Sequence, residues 1–502
     1  MSPWRHGAFA AVVAKLAFLR IAFTAPRFFA ISDDDFSRLA IAQQFAAAPK
    51  LDPSGTSWLP LPFHAYGTAF ALFGNQLAVA QALCLLLGLL GAAGVYVAAR
   101  WASLTDGEAT VAALIAALFP HSVCYGFATV PDYPTAVLAI LAAASLANAM
   151  PRVRLIGALC ALAATLCRYE TWPLACVVGA FALFDARAAK PRRMLILSAL
   201  LAPAGALAWM LHGAQQHHDA LFFVKRVTAY KRALGQPSAP LLERLFTQPL
   251  ALICEEPELI VVAIMLLLGV LLLLGRIGLK GDAWKRPALA LLAVLAFLVV
   301  GDLRDGSPTH HFERVLLSLW FGVALVIPPI FMRVRSALYC RNLFWAKPWA
   351  LILPLGLLVV MTAWFVRPVV TKVEPFVNRS AELEMGRHLA ARLPERQAVA
   401  VYTEDYGYFA IEAALGRPGA LKPLLKRDPR HPELDPMESS GLLAAKLDEM
   451  GARYFVVPAA HRQKAQAIGR QIDGTAAFAL FDRAGKLSPG GAPLGEEFSP
   501  AH

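Results

Sequence analysis

Cysteine pairs and nucleotide-binding motifs are missing from this sequence, and their absence argues against several kinds of functional site. None of the seven cysteines forms a CxxC pair and none follows Cys340, so we expect neither a disulfide framework nor a zinc site. The polar C-terminal region, residues 367–502, contains no GxGxxG motif, P-loop or internal repeat, which leaves a nucleotide site unsupported. The apolar run after Arg5 is too long for a cleavable signal peptide and lacks a small-residue cleavage site.

Charged residues are also few, and their distribution indicates a membrane protein. They make up 16% of the chain against 58% hydrophobic residues, and the mean hydropathy is +0.53, values typical of a polytopic membrane protein. The net charge of +12 divides into +11 for residues 1–366 (29 basic minus 18 acidic) and +1 for residues 367–502 (18 minus 17). The basic excess therefore belongs to membrane loops, where Lys and Arg collect on the cytoplasmic side, and we expect no nucleic-acid partner.

Apolar runs predict eleven membrane spans in residues 1–366. The run at 153–185 is interrupted by the polar sequence RYETWP (168–173) and could be one kinked helix or two short passes. Two passes put 14 of the 18 acids of this region on one side, whereas a single pass inverts every later loop. We therefore predict two passes, with spans near 8–30, 75–99, 108–125, 132–149, 153–168, 170–185, 193–212, 250–274, 285–301, 314–332 and 348–366.

An odd number of spans with a cytoplasmic N-terminus places the region after the last span on the extracytoplasmic side of the membrane. Strand-like and helix-like segments alternate there, so residues 367–487 are predicted to form a small α/β domain. Residues 488–502 are rich in Pro and Gly and are predicted to be a disordered tail. The predicted strands are 398–403, 453–458 and 476–482, the predicted helices are 405–416, 439–451 and 459–472, and 418–436 is a Pro-rich connector.

The first outer loop, residues 31–74, is the first long polar interruption of the membrane part. Asp33, Asp34 and Asp35 precede a short amphipathic helix that begins at Phe36. One of these carboxylates could be a general base while a neighbour orients it or binds a cation, or all three could cap a solvated helix. After a turn at Asp52, the sequence WLPLPF (58–63) is predicted to form a re-entrant or interfacial loop.

Several basic residues on the predicted outer side are candidate phosphate ligands. Arg20, in the outer half of the first span, either pairs with the Asp cluster or extends to the lipid headgroups. Arg168 could bind a phosphate that Glu170 orients, or the two could form a local structural pair. The 213–249 loop favours an anion such as a lipid-linked phosphate, because it carries basic residues on the acidic side of the membrane. These residues are Lys225, Arg226, Lys231 and Arg232.

The last outer loop and the start of span four supply three further candidates. His310 and His311 precede Glu313, but this spacing matches no metal-binding motif, so we predict no metal ligand set. Arg314, at the start of a helix, is the better candidate there, as a phosphate ligand. Asp132 lies between Pro131 and Tyr133 and is predicted to be a helix N-cap.

Together these features resemble GT-C glycosyltransferases, and most closely the group of protein O-mannosyltransferases and aminoarabinose lipid A transferases. The similarity lies in Arg20, in the acids before FSRLA (36–40), in WLPLPF (58–63) and in RYE (168–170). The segments AVAVYTEDYGYFAIEAALGRP (398–418) and ARYFVVP (452–458) are similar to the periplasmic domain of bacterial members. The sequence departs from the group in one respect, because three Asp residues replace its usual Asp-Glu pair.

The resemblance implies an inverting transfer of a sugar from a polyprenyl phosphate to an extracytoplasmic acceptor, in a bacterial inner membrane with the C-terminal domain in the periplasm. It implies an Asp of the first outer loop as the base, with Asp34 favoured over Asp35 and then Asp33. No cofactor is required by the residues, and a divalent cation is the one candidate. Alternatives are a lipid or glycolipid transporter and a non-catalytic envelope assembly protein. The candidate phosphate ligands are Arg20, Arg168, Lys225, Arg226, Lys231 and Arg314, and the candidate positioning residues are Tyr169, Glu170, Trp58, His310 and His311.

Overall fold

Two compact units make up the chain in the computed structural model. We call them the helical unit (Met1–Ile31, Ser54–Pro62 and Gln81–Phe376) and the α/β unit (Ser32–Pro53, Phe63–Ala80 and Val377–His502). The predicted domain boundaries near residues 366 and 487 lie outside the described residues. The structure describes residues 4–22, 28, 30–188, 192–234, 239–272, 282–305, 312–339, 356–357, 359–361, 364, 376–395 and 397–483.

Helices account for the regular structure described in the helical unit. Long apolar sequences form them because, in a membrane, every backbone N–H and C=O must be paired within the segment. These helices are α1 Trp4–Ala22, α4 Leu77–Trp101, α5 Asp106–Leu118, α6 Pro120–Tyr125, α7 Asp132–Ser145, α8 Pro151–Thr165, α9 Trp172–Ala186, α10 Arg192–Leu201, α11 Ala204–His217, α12 Phe222–Ala233, α13 Leu241–Cys254, α14 Pro257–Leu272, α15 Asp282–Asp305 and α16 Phe312–Tyr339.

Ten of the eleven predicted spans overlap described helices, and span 348–366 lies mostly outside the described residues. Among the described residues, four helices are long and apolar enough to cross a membrane, namely Leu77–Trp101, Arg192–His217, Trp284–Asp305 and Glu313–Ser336. Shorter apolar helices are present at His6–Ala17, Asp132–Ser145 and Pro257–Leu268. The prediction of a polytopic membrane protein is confirmed, while the count of eleven spans stays a prediction.

Proline explains where the predicted spans and the helices differ. Span 108–125 is divided into α5 and α6, and Pro120 is the first residue of α6. Span 250–274 was placed wrongly, because residues 250–254 complete α13 and a new helix begins at Pro257. Proline has no N–H to donate and its ring disfavours a helical residue before it, so it is well tolerated as the first residue of a helix, as at Pro120 and Pro257. Residues 153–185 form two helices, α8 and α9, separated by a turn at Tyr169–Thr171, while two membrane passes over this stretch stay a prediction.

Small residues and a few large aromatic side chains form the core of the helical unit. Trp320, Tyr96 and Tyr133 are almost completely buried among alanines of neighbouring helices. Gly157 of α8 approaches α7 so closely that a Cβ atom there would lie 2.0 Å from the Ser145 Oγ. Such close approach is how membrane helices gain packing energy, because lipid gives no hydrophobic drive between them.

A five-stranded sheet with the strand order β2-β1-β3-β5-β4 forms the centre of the α/β unit. Strands β1, β2 and β3 are parallel, whereas β5 runs antiparallel to β3 and β4. The small C-terminal α/β domain is therefore confirmed. The strands are β1 Val399–Val401, β2 Leu421–Pro423, β3 Tyr454–Pro458, β4 Arg470–Gly474 and β5 Phe478–Asp482. The helices are α2 Asp33–Ala47, α3 Leu61–Phe73, α17 Ser380–Arg392, α18 Tyr408–Leu415, α19 Ser440–Glu449 and α20 Arg462–Gln466. Helix α3 belongs to this unit from residue 63 onward.

Three local predictions for these segments were wrong. Residues 470–472 belong to β4, not to a helix, because the chain turns back at Gly469 to pair with β5. The Pro-rich connector contains β2, which pairs with β1 through only three residues and is too short to show alternation. The outer-loop segment from Leu61 to Phe73 is a helix, with Leu61 and Pro62 at its start.

Candidate active site

The three acidic residues of the first outer loop occupy the first turn of α2. Asp35 is fully buried, and its Oδ2 accepts a hydrogen bond from the Ser32 backbone N–H at 3.1 Å. This hydrogen bond satisfies the Ser32 backbone N–H at the start of the helix, where the helix dipole also favours acidic residues. The alternative role of these acids as helix caps therefore applies to Asp35.

Asp33 is held by an arginine far away in the sequence. The Arg379 Nε and Nη2 atoms donate to the two carboxylate oxygens of Asp33, each at 2.8 Å. Arg379 Nη2 also lies 2.8 Å from Asp405 Oδ2, and Arg379 Nη1 lies 3.1 Å from Glu382 Oε1. The carboxylates raise the pKa of Arg379 against the opposing effect of burial. Asp33 is thus committed to a bidentate ion pair.

Asp34 lies between these two residues and is partly exposed. Its backbone carbonyl accepts a hydrogen bond from the Ser37 hydroxyl at 3.2 Å, within the first turn of the helix. A general base has to contact the substrate hydroxyl directly, so its carboxylate must be accessible. Asp34 meets this requirement because it is partly exposed at the start of α2. The favoured role of Asp34 stays a prediction, and these contacts are consistent with it.

Two arginines and two acids form a buried polar cluster in the helical unit. Asp132 is 1% exposed and bridges both arginines, with Oδ1 at 2.6 Å from Arg168 Nη1 and Oδ2 at 3.3 Å from Arg314 Nη2. Arg168 Nε also donates to Glu170. The structure therefore brings together two of the predicted phosphate ligands, Arg168 and Arg314. Asp132, which was predicted to be an N-cap, is the first residue inside α7, after Pro131.

Other buried acids of the helical unit make contacts that sequence reasoning missed. The Tyr125 hydroxyl donates to Glu313 Oε1 at 3.1 Å, and Glu313 directly precedes Arg314 in the chain. The fully buried Glu256 accepts the backbone N–H of His121 at 2.7 Å and also contacts the ring Nδ1 of His121. Buried acids are costly unless they are paired, which makes Glu256 and Glu313 functional candidates. The only sequence signal for Glu256 was the polar break EEPE (255–258) in an apolar run.

Tyr169 belongs to an aromatic group that connects the RYE turn to α11 and α12. Its hydroxyl donates to the Ser57 carbonyl at 2.6 Å and accepts from Trp209 Nε1 at 3.0 Å. Its ring stacks on Phe223 with the centroids 4.2 Å apart. Trp58, the other predicted positioning aromatic, directly follows Ser57 and is partly exposed. Tyr169 therefore fixes the segment that carries Trp58.

The basic residues of α12 contact different acids. Lys225 is exposed and its Nζ lies 2.6 Å from Asp219 Oδ2, whereas Lys231 is buried with its Nζ 3.4 Å from Asp305 Oδ2. Arg226 is partly exposed between them. The predicted phosphate-binding roles of these residues remain untested, and a phosphate would have to compete with those acids. The Arg20 side chain, His310 and His311 lie outside the described residues.

The helices and the sheet define a polytopic membrane protein with a GT-C-like fold. The solved structure of ArnT from Cupriavidus metallidurans in the apo state matches 95% of this chain and 99% of its own, with a TM-score of 0.56 and 13% identity. The same protein bound to undecaprenyl phosphate matches 96% of this chain and 98% of its own, with a TM-score of 0.56 and 14% identity. ArnT is an aminoarabinose lipid A transferase of the GT-C family, so the resemblance expected from the sequence is confirmed at the level of the fold. Neither a protein-family model nor a curated protein sequence matches the chain.

Proposed function

We propose that this protein is an inverting membrane glycosyltransferase that moves a sugar from a polyprenyl phosphate to an extracytoplasmic acceptor. The observation that carries the proposal is the near-full-length likeness to ArnT, whose structure was solved with undecaprenyl phosphate. The α2 acids support it, because Asp34 is partly exposed in the first turn of α2. The acceptor is a glycolipid, a polysaccharide or a protein.

In the proposed reaction the acceptor oxygen attacks the anomeric carbon from the face opposite the phosphate. The bond between that carbon and the phosphate oxygen breaks, so the configuration inverts and polyprenyl phosphate leaves with the bonding electrons. Asp34 accepts the proton of the acceptor hydroxyl. Arg168 and Arg314 are the best-supported ligands for the leaving phosphate, because preorganised buried cations stabilise developing charge strongly.

The proposal includes a topology in which the N-terminus is cytoplasmic and the α/β unit is extracytoplasmic, in a bacterial inner membrane. The acid-rich loops would then face the outer side, together with the acceptor. The lipid-linked donor would enter from the outer leaflet. Glu170, Tyr169, Trp58, His310 and His311 keep their proposed positioning roles, and Arg20, Lys225, Arg226 and Lys231 their proposed donor contacts.

Release of polyprenyl phosphate tests the proposal. Purified wild type, Asp34→Asn and Glu449→Gln are reconstituted in lipid and incubated with a panel of polyprenyl-phosphate sugars and cell-envelope extract. We expect the Asp34 variant to lose about 10²–10⁴-fold in rate, the usual contribution of a general base. Glu449→Gln, at an exposed position of α19, controls for loss of negative charge and should keep the wild-type rate.

Two outcomes would contradict the proposal. Equal release by wild type and Asp34→Asn, at equal folded yield, would exclude Asp34 as the base. Movement of the donor across the bilayer without release of polyprenyl phosphate would favour the transporter alternative.

A further inference from the structure

Arg379 joins three separate elements of the α/β unit through their carboxylates. It precedes α17 and contacts Asp33 at the start of α2, Glu382 in the first turn of α17 and Asp405 in the loop after β1. The Arg379 side chain is only 11% exposed, and that of Asp33 is 21% exposed. A guanidinium has a planar set of donors that fits a carboxylate through two parallel hydrogen bonds, so this contact fixes direction as well as distance.

The place where Asp33 is held matters for function. Asp405 follows the carboxyl end of β1, the central strand of the parallel set β2-β1-β3. Open α/β sheets present functional groups at the carboxyl ends of such strands, beside the point where the strand order reverses. Burial raises the pKa of Asp405, but hydrogen bonds from Arg379 and from the Gly407 N–H outweigh it, and the net shift is downward. The acid therefore remains an anionic partner for Arg379.

Two further contacts hold α2 nearer its other end. The Gln43 side chain is 1% exposed, and its Nε2 donates to the carbonyls of Ala413 and Asn75, each at 3.0 Å. Gln44 Nε2 donates to Glu412 Oε1 of α18 at 3.4 Å. The helix is thus fastened to the C-terminal domain at its first turn and at its third. Asp34 lies next to the first of these points.

We propose that Arg379 is a positioning residue for the reaction, acting through Asp33 to set the direction in which α2 presents Asp34. The inference rests on the proposed function. It assigns Asp33 to anchoring and leaves proton transfer to Asp34. It also makes the C-terminal domain a part of the catalytic machinery, because its first helix and the end of β1 supply the anchor.

The test compares Arg379→Lys with Arg453→Lys in the full-length protein in lipid. Lysine keeps the charge but cannot make the forked contact. Arg453 is a matched control, since it makes the same bidentate pair with Asp482 at 3.0 and 3.1 Å, at the amino end of β3. Hydrogen exchange is measured over residues 33–47, and kcat and the donor KM are measured with the best donor of the panel.

We expect Arg379→Lys to speed amide exchange in the first turns of α2 by about tenfold or more, because the local opening free energy falls. We also expect kcat to fall about 10- to 100-fold with the donor KM nearly unchanged, as for a misplaced catalytic group. Arg453→Lys should leave both quantities at their wild-type values. Asp33→Asn should loosen the helix to a similar degree, and the double variant should add little to either single change.

Wild-type exchange in Arg379→Lys would overturn the inference, and so would faster exchange with an unchanged kcat. Failure of the proposed function looks different, because it appears in the wild type as a lack of donor consumption. The exchange experiment needs no substrate. It therefore decides whether Arg379 anchors α2 whichever donor the protein uses.

Discussion

At the scale of single residues, Asp132 is a buried acid of the helical unit that forms ion pairs with two arginines. Its carboxylate is fully buried between Arg168 and Arg314, and Arg168 also binds Glu170. Burying a charge costs several kcal/mol, and only a close opposite charge compensates for it. Removing the carboxylate would take from Arg168 and Arg314 the buried anion that both of them contact.

We therefore expect Asp132→Asn to lower the free energy of unfolding by about 3–5 kcal/mol, the usual cost of breaking a buried ion pair. Thermal unfolding in lipid nanodiscs measures the loss. Asp106→Asn is the matched control, because Asp106 pairs with Arg100 where both side chains are about 40% exposed. It should cost less than about 1 kcal/mol, and Asn keeps an oxygen for the Tyr96 hydroxyl. Similar losses for the two variants would show that the cluster is not a buried anchor.

The limits of sequence reasoning are clear at this scale. The sequence identified the three α2 acids and Arg168 as candidates because polar residues stand out in an apolar chain. It could not separate the roles of Asp33, Asp34 and Asp35, since the separation depends on Arg379, 346 positions further along. It also assigned Asp132 to a local cap, because its partners are 36 and 182 residues away.

At the scale of elements, long apolar helices were predictable and short polar elements were not. Ten predicted spans overlap helices because a helix that crosses lipid needs a long apolar sequence, which is visible in composition. Strand β2 and helix α17 were missed. Three residues show no alternation, and helix α17 is stabilised by contacts with α18 rather than by a strong local pattern. Pro120 and Pro257 each begin a helix. Proline alone would not have placed these two breaks, because other prolines lie inside helices, namely Pro249, Pro287, Pro328 and Pro329.

The contact between α2 and α18 should depend on pH. Burial raises the pKa of Glu412 to about 7, against the lowering effect of the Gln44 hydrogen bond. The unfolded chain ionises this group from about pH 4.5, whereas the folded chain keeps it neutral up to about pH 7. The contribution of the buried Glu412 carboxyl to folding stability is therefore fully present below about pH 4.5 and is lost as the pH rises through about 7. Tyr408, one turn earlier on α18, is also buried, and burial raises its pKa.

Glu412→Gln should remove this dependence. At pH 8 we expect the variant to be more stable than wild type by about 2 kcal/mol, following the size of the pKa shift, and at pH 5 the two should be equal. Hydrogen exchange over residues 408–415, corrected for intrinsic rates, measures the difference. Glu449→Gln, at an exposed position of α19, is the control. An identical pH dependence in Glu412→Gln and wild type would rule out this carboxyl as its source.

At the scale of the whole molecule, the distribution of charge makes a topological prediction. Acids collect in the loops that precede α2, α7, α9 and α16, and basic residues collect in the alternate loops. Single cysteines in a background without native cysteines can test this distribution. We expect Glu449→Cys in the α/β unit to react with a membrane-impermeant maleimide in intact spheroplasts. Ala149→Cys, in the exposed loop between α7 and α8, should react only after permeabilisation. Labelling in the reverse order would place the α2 acids in the cytoplasm and would contradict the proposed acceptor side.

The three-part composition of the α/β unit has a consequence for how the protein is made. Helix α2 and the C-terminal domain belong to the same unit, but residues 81–376, a stretch of 296 residues, lie between them in the chain. At a synthesis rate of about 5–20 residues per second, roughly 15–60 seconds pass before the domain that binds α2 begins to be made. During that interval Phe36, Leu39 and Gln43, which the finished unit buries, have to be protected by other means. A chain that terminates early therefore loses the architecture of its first outer loop, even though every residue of that loop has been synthesised.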